Sequence, residues 1–110
     1  MNNTFGGEAI WNIDKRINFT ESYSFTFTDE AGEPYTFESE NWEFRLKRYQ
    51  GDKKNILILD TYSGIDVTDN VVTLTITYEE SNLDEGQYYY QLLNDGNVKI
   101  NGNCNLYSGI

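Results

Sequence analysis

Four stretches of this chain alternate between apolar and polar residues with a period of two. In "SYSFTFT", Tyr23, Phe25 and Phe27 alternate with serines and threonines; in "NWEFRLKR", Trp42, Phe44 and Leu46 alternate with Glu43, Arg45 and Lys47. In "VVTLTITY" the apolar set is Val72, Leu74, Ile76 and Tyr78, and in "NVKINGNCNL" it is Val98, Ile100, Cys104 and Leu106. Such alternation places one face of a strand in a core and the other in water. It predicts antiparallel pairing, because parallel strands covered on both faces read as continuous apolar runs. One run of that continuous kind is present, "ILIL" at Ile56–Leu59, and it is expected to be a short strand covered on both faces. Near the start, "AIWNI" and "RINF" read as one broken or bulged strand.

Turn chemistry falls between these runs. "DEAGEP" holds Gly32 and Pro34, "YQGDKKN" holds Gly51, "IDVTDN" separates two strands, and "NDGN" carries Asp95-Gly96. The last is a hairpin signal, since a tight two-residue turn needs positive φ and Asp-Gly supplies it at little cost. No helix of useful length is predicted; the best candidate is a single turn around "EESNL". About seven strands with turn signals between them argue for a β-sandwich ahead of a small barrel.

"LDEGQYYYQLL" (Leu83–Leu93) narrows the architecture. Its core reads Asp84-x-Gly86-x-Tyr88, similar to the element at which immunoglobulin-like sandwiches cross between sheets and turn a tyrosine inward to bond upstream backbone. Here Gly86 is expected to allow the bend, Tyr88 to close the end of the core, and Leu83 to anchor the loop. Alternation directs Tyr88, Tyr90 and Leu92 inward and Tyr89 outward. Tyr90 stands where an immunoglobulin domain has its second cysteine, and Trp42 about where such a domain has its core tryptophan. The expected fold is therefore an all-β, antiparallel immunoglobulin-like β-sandwich of about seven strands without a disulfide. Its expected core includes Trp42, Phe25, Phe27, Phe44, Leu74 and Ile76.

Length and charge set the outer bounds. A chain of 110 residues is the size of one domain, expected over 9–110 with a flexible segment at 1–8. An aromatic share of 15% is too high for a disordered tail. No apolar run reaches the ~18 residues of a membrane span, and "MNNTFGGEAI" lacks the features of a signal peptide, so neither membrane nor export is expected. The net charge of −10 argues against nucleic acid as a partner, because phosphate binding needs surplus Lys and Arg. It serves solubility and leaves calcium or a basic protein partner as functional readings.

Catalytic chemistry is poorly supported. The chain has no histidine, so the usual general base and commonest metal ligand are missing. The single cysteine, Cys104, has no disulfide partner and no base to activate it, and is expected to be a small buried apolar residue. Glu79-Glu80 and Asp84-Glu85 are carboxylate pairs, but neighbours on a strand point to opposite faces and cannot share a glycoside. Asp66, Asp69, Glu79, Glu80, Asp84 and Glu85 lack the spacing of a known calcium loop. The expectation is a protein that is not an enzyme and carries no cofactor.

From residue 17 to 110 the order of elements resembles the small β-sandwich domains of bacteriophage tail and baseplate proteins, such as the N-terminal domain of lactococcal-phage baseplate upper proteins. The likeness runs through "TESYSFTF", "DEAGEPYTF", "WEFRLKR" and "VVTLTITYEESNL". It continues through the L-x-x-G-x-Y-x-Y pattern of Leu83, Gly86, Tyr88 and Tyr90, and ends in a strand passing through Gly102. A glycine-aspartate pair frequent before the first aromatic strand of that pattern is Glu21-Ser22 here, and no fibre segment follows. The resemblance implies a structural protein of the virion, in tail, neck, baseplate or capsid-associated position, assembled in the host cytoplasm. Its partners would be other virion proteins, as a homo-oligomer or part of a hetero-assembly, with residues 1–8 ordering on assembly. The alternative is a carbohydrate- or protein-binding adhesion or host-recognition module using Tyr49, Tyr62, Tyr89 or Tyr107, of which Tyr89 is the candidate from the tyrosine run.

Overall fold

A computed structural model describes residues 2–5, 9–29, 31–37, 40–80 and 82–108. The described residues form ten strands and no helix: β1 (Asn2–Phe5), β2 (Ala9–Ile10), β3 (Ile13–Ile17), β4 (Glu21–Phe27), β5 (Trp42–Lys47), β6 (Leu57–Asp60), β7 (Ile65–Thr68), β8 (Val71–Ile76), β9 (Gly86–Asn94) and β10 (Asn97–Ser108). They lie in two sheets. One has the order β1-β4-β8-β7; the other has the order β6-β5-β9-β10, continued beyond β10 by β2 and β3.

The connections alternate between hairpins within a sheet and crossings between sheets. Hairpins join β5 to β6, β7 to β8 and β9 to β10, each antiparallel. The chain crosses from β4 to β5, from β6 to β7 and from β8 to β9. Apart from β1, this is the immunoglobulin-like arrangement, with three strands in one layer facing a layer of which β5, β9 and β10 are the centre. No disulfide joins the layers, and Cys104 is a buried free thiol.

The alternating runs build the core. Phe25, Phe27, Val72, Leu74 and Ile76 from the first sheet meet Trp42, Phe44, Leu46, Tyr88, Tyr90 and Leu92 from the second, all buried in one cluster. Tyr78 does not join them. Its strand ends at Ile76, and the ring lies in the following turn, 54% exposed.

Several elements differ from the sequence expectation. "IDVTDN" is largely strand: Ile65–Thr68 form β7, and only Asp69-Asn70 make the turn, with Asp69 at φ 54°. Two apolar positions, Ile65 and Val67, are too few to display a period. "ILIL" is an edge strand covered on one face only, since Leu59 is buried while Ile56 and Ile58 are exposed. Within the segment expected to be flexible, Asn2–Phe5 pair in parallel with Ser24–Phe27 of β4; residues 1 and 6–8 lie outside the described residues. "EESNL" is a hydrogen-bonded turn instead of a helical one. Thr77 N donates to Glu80 Oε1 at 2.9 Å and Glu80 N to Thr77 Oγ1 at 3.2 Å, the reciprocal pattern of a capping box. Ser81 of that stretch lies outside the described residues.

The broken first strand has a visible cause. β2 and β3 both pair in parallel with β10, at Asn101↔Ile10 and again from Cys104↔Ile13, with Trp11 and Asn12 between them. Trp11 N still donates to Asn101 O, and Asn12 Oδ1 accepts from Asn103 N. Trp11 O is turned toward Gly102, where a Cβ would stand 2.2 Å away. Only glycine leaves room for that carbonyl.

Candidate interaction surface

At the crossing from β8 to β9, Tyr88 is buried and its hydroxyl donates to Asp84 O at 2.8 Å. Leu83 packs against the core from the loop side. Gly86 has φ 145°, and a Cβ there would lie 2.9 Å from both Nη atoms of Arg48. That guanidinium lies 4.7 Å from the centre of the Tyr88 ring and donates from Nη1 to Gln87 O at 2.5 Å. Gly86 thus provides both the bend and the seat of an arginine that covers the corner. Burial raises the Tyr88 phenol above its ordinary pKa, opposed by the positive charge of Arg48.

Tyr90, two residues on, is fully buried and stacks on Phe44 at 5.6 Å between ring centres and 27° between planes. Its hydroxyl donates to Trp11 O at 2.5 Å. The ring that Tyr90 stacks on is Phe44, whereas Trp42 packs edge-on to Phe37 at 4.9 Å and tilted against Phe27 at 5.6 Å. The Tyr90 phenol therefore spans from the core to the first strand's break. Burial also pushes the Cys104 thiol up to about 12, which leaves it without the thiolate that nucleophilic chemistry needs.

The carboxylates that the sequence offered for calcium or catalysis are dispersed. Glu80 closes its own turn, and Glu85 Oε1 accepts from Ser108 N at 2.8 Å. Asp66 and Asp69 lie by the β7–β8 hairpin, separated from Glu79 and Glu80 by the length of β8, about 20 Å of strand. Among the described residues no three acidic or cysteine side chains are gathered to hold a metal ion.

The exposed aromatics also separate. Tyr49 and Tyr89 border a shallow depression of about 300 Å³ beside Arg48 and Asn103. Tyr107 stands apart near the end of β10, 44% exposed. Tyr62 borders a larger open cleft, of about 1070 Å³, between the β4–β5 loop and edge strand β7. Its floor is aromatic: Tyr35 and Phe37 line it, and Phe37 meets Phe27 edge-on at 5.3 Å, tying the loop to the core.

One surface crosses the whole second sheet. Ile58, Arg45, Gln91, Asn101 and Ile10 are successive partners on β6, β5, β9, β10 and β2, a row about 19 Å long. Ile10 is 79% and Ile58 52% exposed at its two ends. The next row holds Lys47, Tyr89 and Asn103. The open face is thus polar in the middle, with an exposed isoleucine at each edge.

Sequence reasoning missed Arg48, the Tyr35–Phe37 floor and Lys15. Lys15 is fully buried, and its ammonium donates to the carbonyl oxygens of Arg16 and Phe19. Burial lowers its pKa, opposed by the Glu21 carboxylate. Its period-two placement with Ile13 and Ile17 was a readable sign that it faces inward.

No family model matches the chain, and no curated protein matches it. Among solved structures it is similar to the ZIG-8–RIG-5 IG1–IG1 heterodimer, at 12% identity over 92% of this chain and 83% of that one, with a TM-score of 0.41. It is also similar to the extracellular domain of the voltage-gated sodium channel β4 subunit, described as a parallel homodimer in cell–cell adhesion. That match has 17% identity over 90% of each chain and a TM-score of 0.33.

Proposed function

We propose that the chain is a non-catalytic protein-interaction module, and that its specific role is structural, in a bacteriophage virion. The observation that carries the interaction reading is the open face of the second sheet. Ile10 and Ile58 stand exposed at the two ends of one cross-strand row on this face, and β6 leaves an edge free for pairing among the described residues. A partner laid across this face would cover Ile10 and Ile58 together. The non-catalytic reading is supported by the absence of histidine, the buried Cys104 thiol, and the carboxylates of Glu80 and Glu85 being engaged by backbone N–H groups. The virion role is supported by the resemblance over residues 17–110.

Sedimentation velocity between 5 and 500 µM tests the interaction reading, together with Ile10→Lys and Ile58→Lys. Concentration-dependent assembly that either substitution weakens at least tenfold is the expected result. A parent that stays monomeric throughout and instead binds a glycan saturably on an array overturns it. The virion role is tested by mass spectrometry of purified particles from a host producing the protein, in which the chain should be present at stoichiometric copy number. Its absence from the particles overturns that role and leaves the face to another partner.

A further inference from the structure

We propose that the cleft between the β4–β5 loop and β7 binds an extended, lysine- or arginine-bearing segment of a partner protein. This deepens the interaction-module reading at a surface separate from the open sheet face. Three features converge on one wall-and-floor arrangement. The first is charge: Glu40, Asp66 and Asp69 line the cleft, and no lysine or arginine does among the described lining residues. In a chain of net charge −10, such a cleft attracts cations and repels anions.

The second feature is aromatic. Tyr35 and Phe37 form the floor, and Tyr62 stands at the rim 97% exposed. Tyr62 is held on a fixed turn: its N–H donates to Asp60 Oδ1 at 2.9 Å, and Asp60 and Ser63 exchange backbone hydrogen bonds across it. A ring face beside carboxylates suits an ammonium or guanidinium group. Tyr35 already meets one such group, with Lys99 Nζ 5.6 Å from its centroid.

The third feature selects a peptide over a sugar. β7 is the last strand of its sheet and pairs along its length only with β8 among the described residues. Its Ile65, Asp66 and Val67 form a wall of the cleft, so an unpaired backbone edge borders the acidic and aromatic side chains. An extended segment added there would gain main-chain hydrogen bonds, and its alternate side chains would point to the carboxylates and rings. Saccharide hydroxyls would make no such use of a strand edge.

The test is fluorescence anisotropy with a labelled octapeptide of alternating lysine and valine, beside one of alternating glutamate and valine, and with maltotetraose as competitor. The lysine peptide is expected to bind with micromolar Kd, at least tenfold more tightly than the glutamate peptide, and to lose at least tenfold in affinity between 50 and 500 mM NaCl. Asp66→Asn with Asp69→Asn, which keeps the side-chain shape and tolerance for positive φ at the turn, should weaken binding at least tenfold. Tyr62→Ala should weaken it at least threefold, and circular dichroism should show both variants folded. No binding of the lysine peptide at 1 mM overturns the proposal, as does indifference to these substitutions or displacement by maltotetraose. Sedimentation of the same variants separates this cleft from the sheet face: they should assemble as the parent does even if peptide binding fails.

Discussion

Arg48 lays its guanidinium against the bare backbone of Gly86, where a Cβ would come within 2.9 Å of both terminal nitrogens. The same group covers the ring of Tyr88, so one arginine from the end of β5 closes the corner where the chain enters β9. Gly86→Ala therefore meets two penalties, a side chain at φ 145° and displacement of Arg48. We expect a loss of about 1–3 kcal/mol in urea unfolding. Because the displaced atoms are the far end of a flexible side chain, part of that loss is shared with Arg48. Gly86→Ala combined with Arg48→Ala should cost at least ~0.5 kcal/mol less than the two singly added. Strict additivity would show that the backbone strain acts alone.

Tyr88→Phe removes a hydroxyl but keeps the buried ring and the surface under Arg48. The donor to Asp84 O is lost, so the expected cost is about 1–2 kcal/mol, read as a lower urea midpoint at unchanged slope. A midpoint equal to the parent's would assign the corner to ring burial and Arg48 without the hydrogen bond.

Tyr90 and Gly102 act on one acceptor from two sides. Trp11 O takes the Tyr90 hydroxyl at 2.5 Å and occupies the space a Cβ on residue 102 would need. Tyr90→Phe should cost about 1–2 kcal/mol through the lost bond. Gly102→Ala should cost more, because the obstacle 2.2 Å away is backbone and cannot swing aside as Arg48 can. Differential scanning fluorimetry should rank the parent highest, Tyr90→Phe next and Gly102→Ala lowest. The reverse order would mean that the β2–β3 break opens freely and that Gly102 does not set it.

What could be read in the chain and what could not follow from the reach of each signal. Strands with three or more alternating apolar residues, β4, β5 and β8 among them, announce themselves because burial on one face repeats every second position. The Asp84-x-Gly86-x-Tyr88 spacing is equally local, since donor and acceptor of the corner lie four residues apart. β7 offers two apolar positions, and the continuous run at β6 hides that its sheet ends there. Arg48 lies 39 positions from Gln87, its backbone acceptor, and no spacing rule links them. The cleft is similarly assembled from the β4–β5 loop and β7, so Tyr62 could be named as an exposed ring but not placed beside Tyr35 and Asp66.

Cys104 makes stability depend on alkaline pH. Its thiol, buried and pushed up to about 12, stays protonated in the folded chain while the unfolded thiol ionises near 8.5. Between those values the unfolded state binds fewer protons, so stability falls as pH rises, by at most about 1.4 kcal/mol per pH unit. Below about pH 8 both states are protonated and the contribution of the thiol to stability is complete. Lys15 works in the opposite sense. Its lowered pKa means that the unfolded chain holds that proton to higher pH, and stability gains as the folded amine releases it. Comparing the parent with Cys104→Ala reads the thiol together with its coupling to Lys15, whose charge acts on Cys104 and feels it in turn. Urea unfolding at pH 7.5, 8.5, 9.2 and 10 should show the parent losing more stability than the variant above pH 8.5, with the gap widening at each step. Parallel curves would mean that the thiol ionises as readily in the folded chain as in the unfolded one. In that case a thiol-reactive disulfide reagent would modify the native protein at pH 9, whereas the buried thiol should react only on the timescale of unfolding.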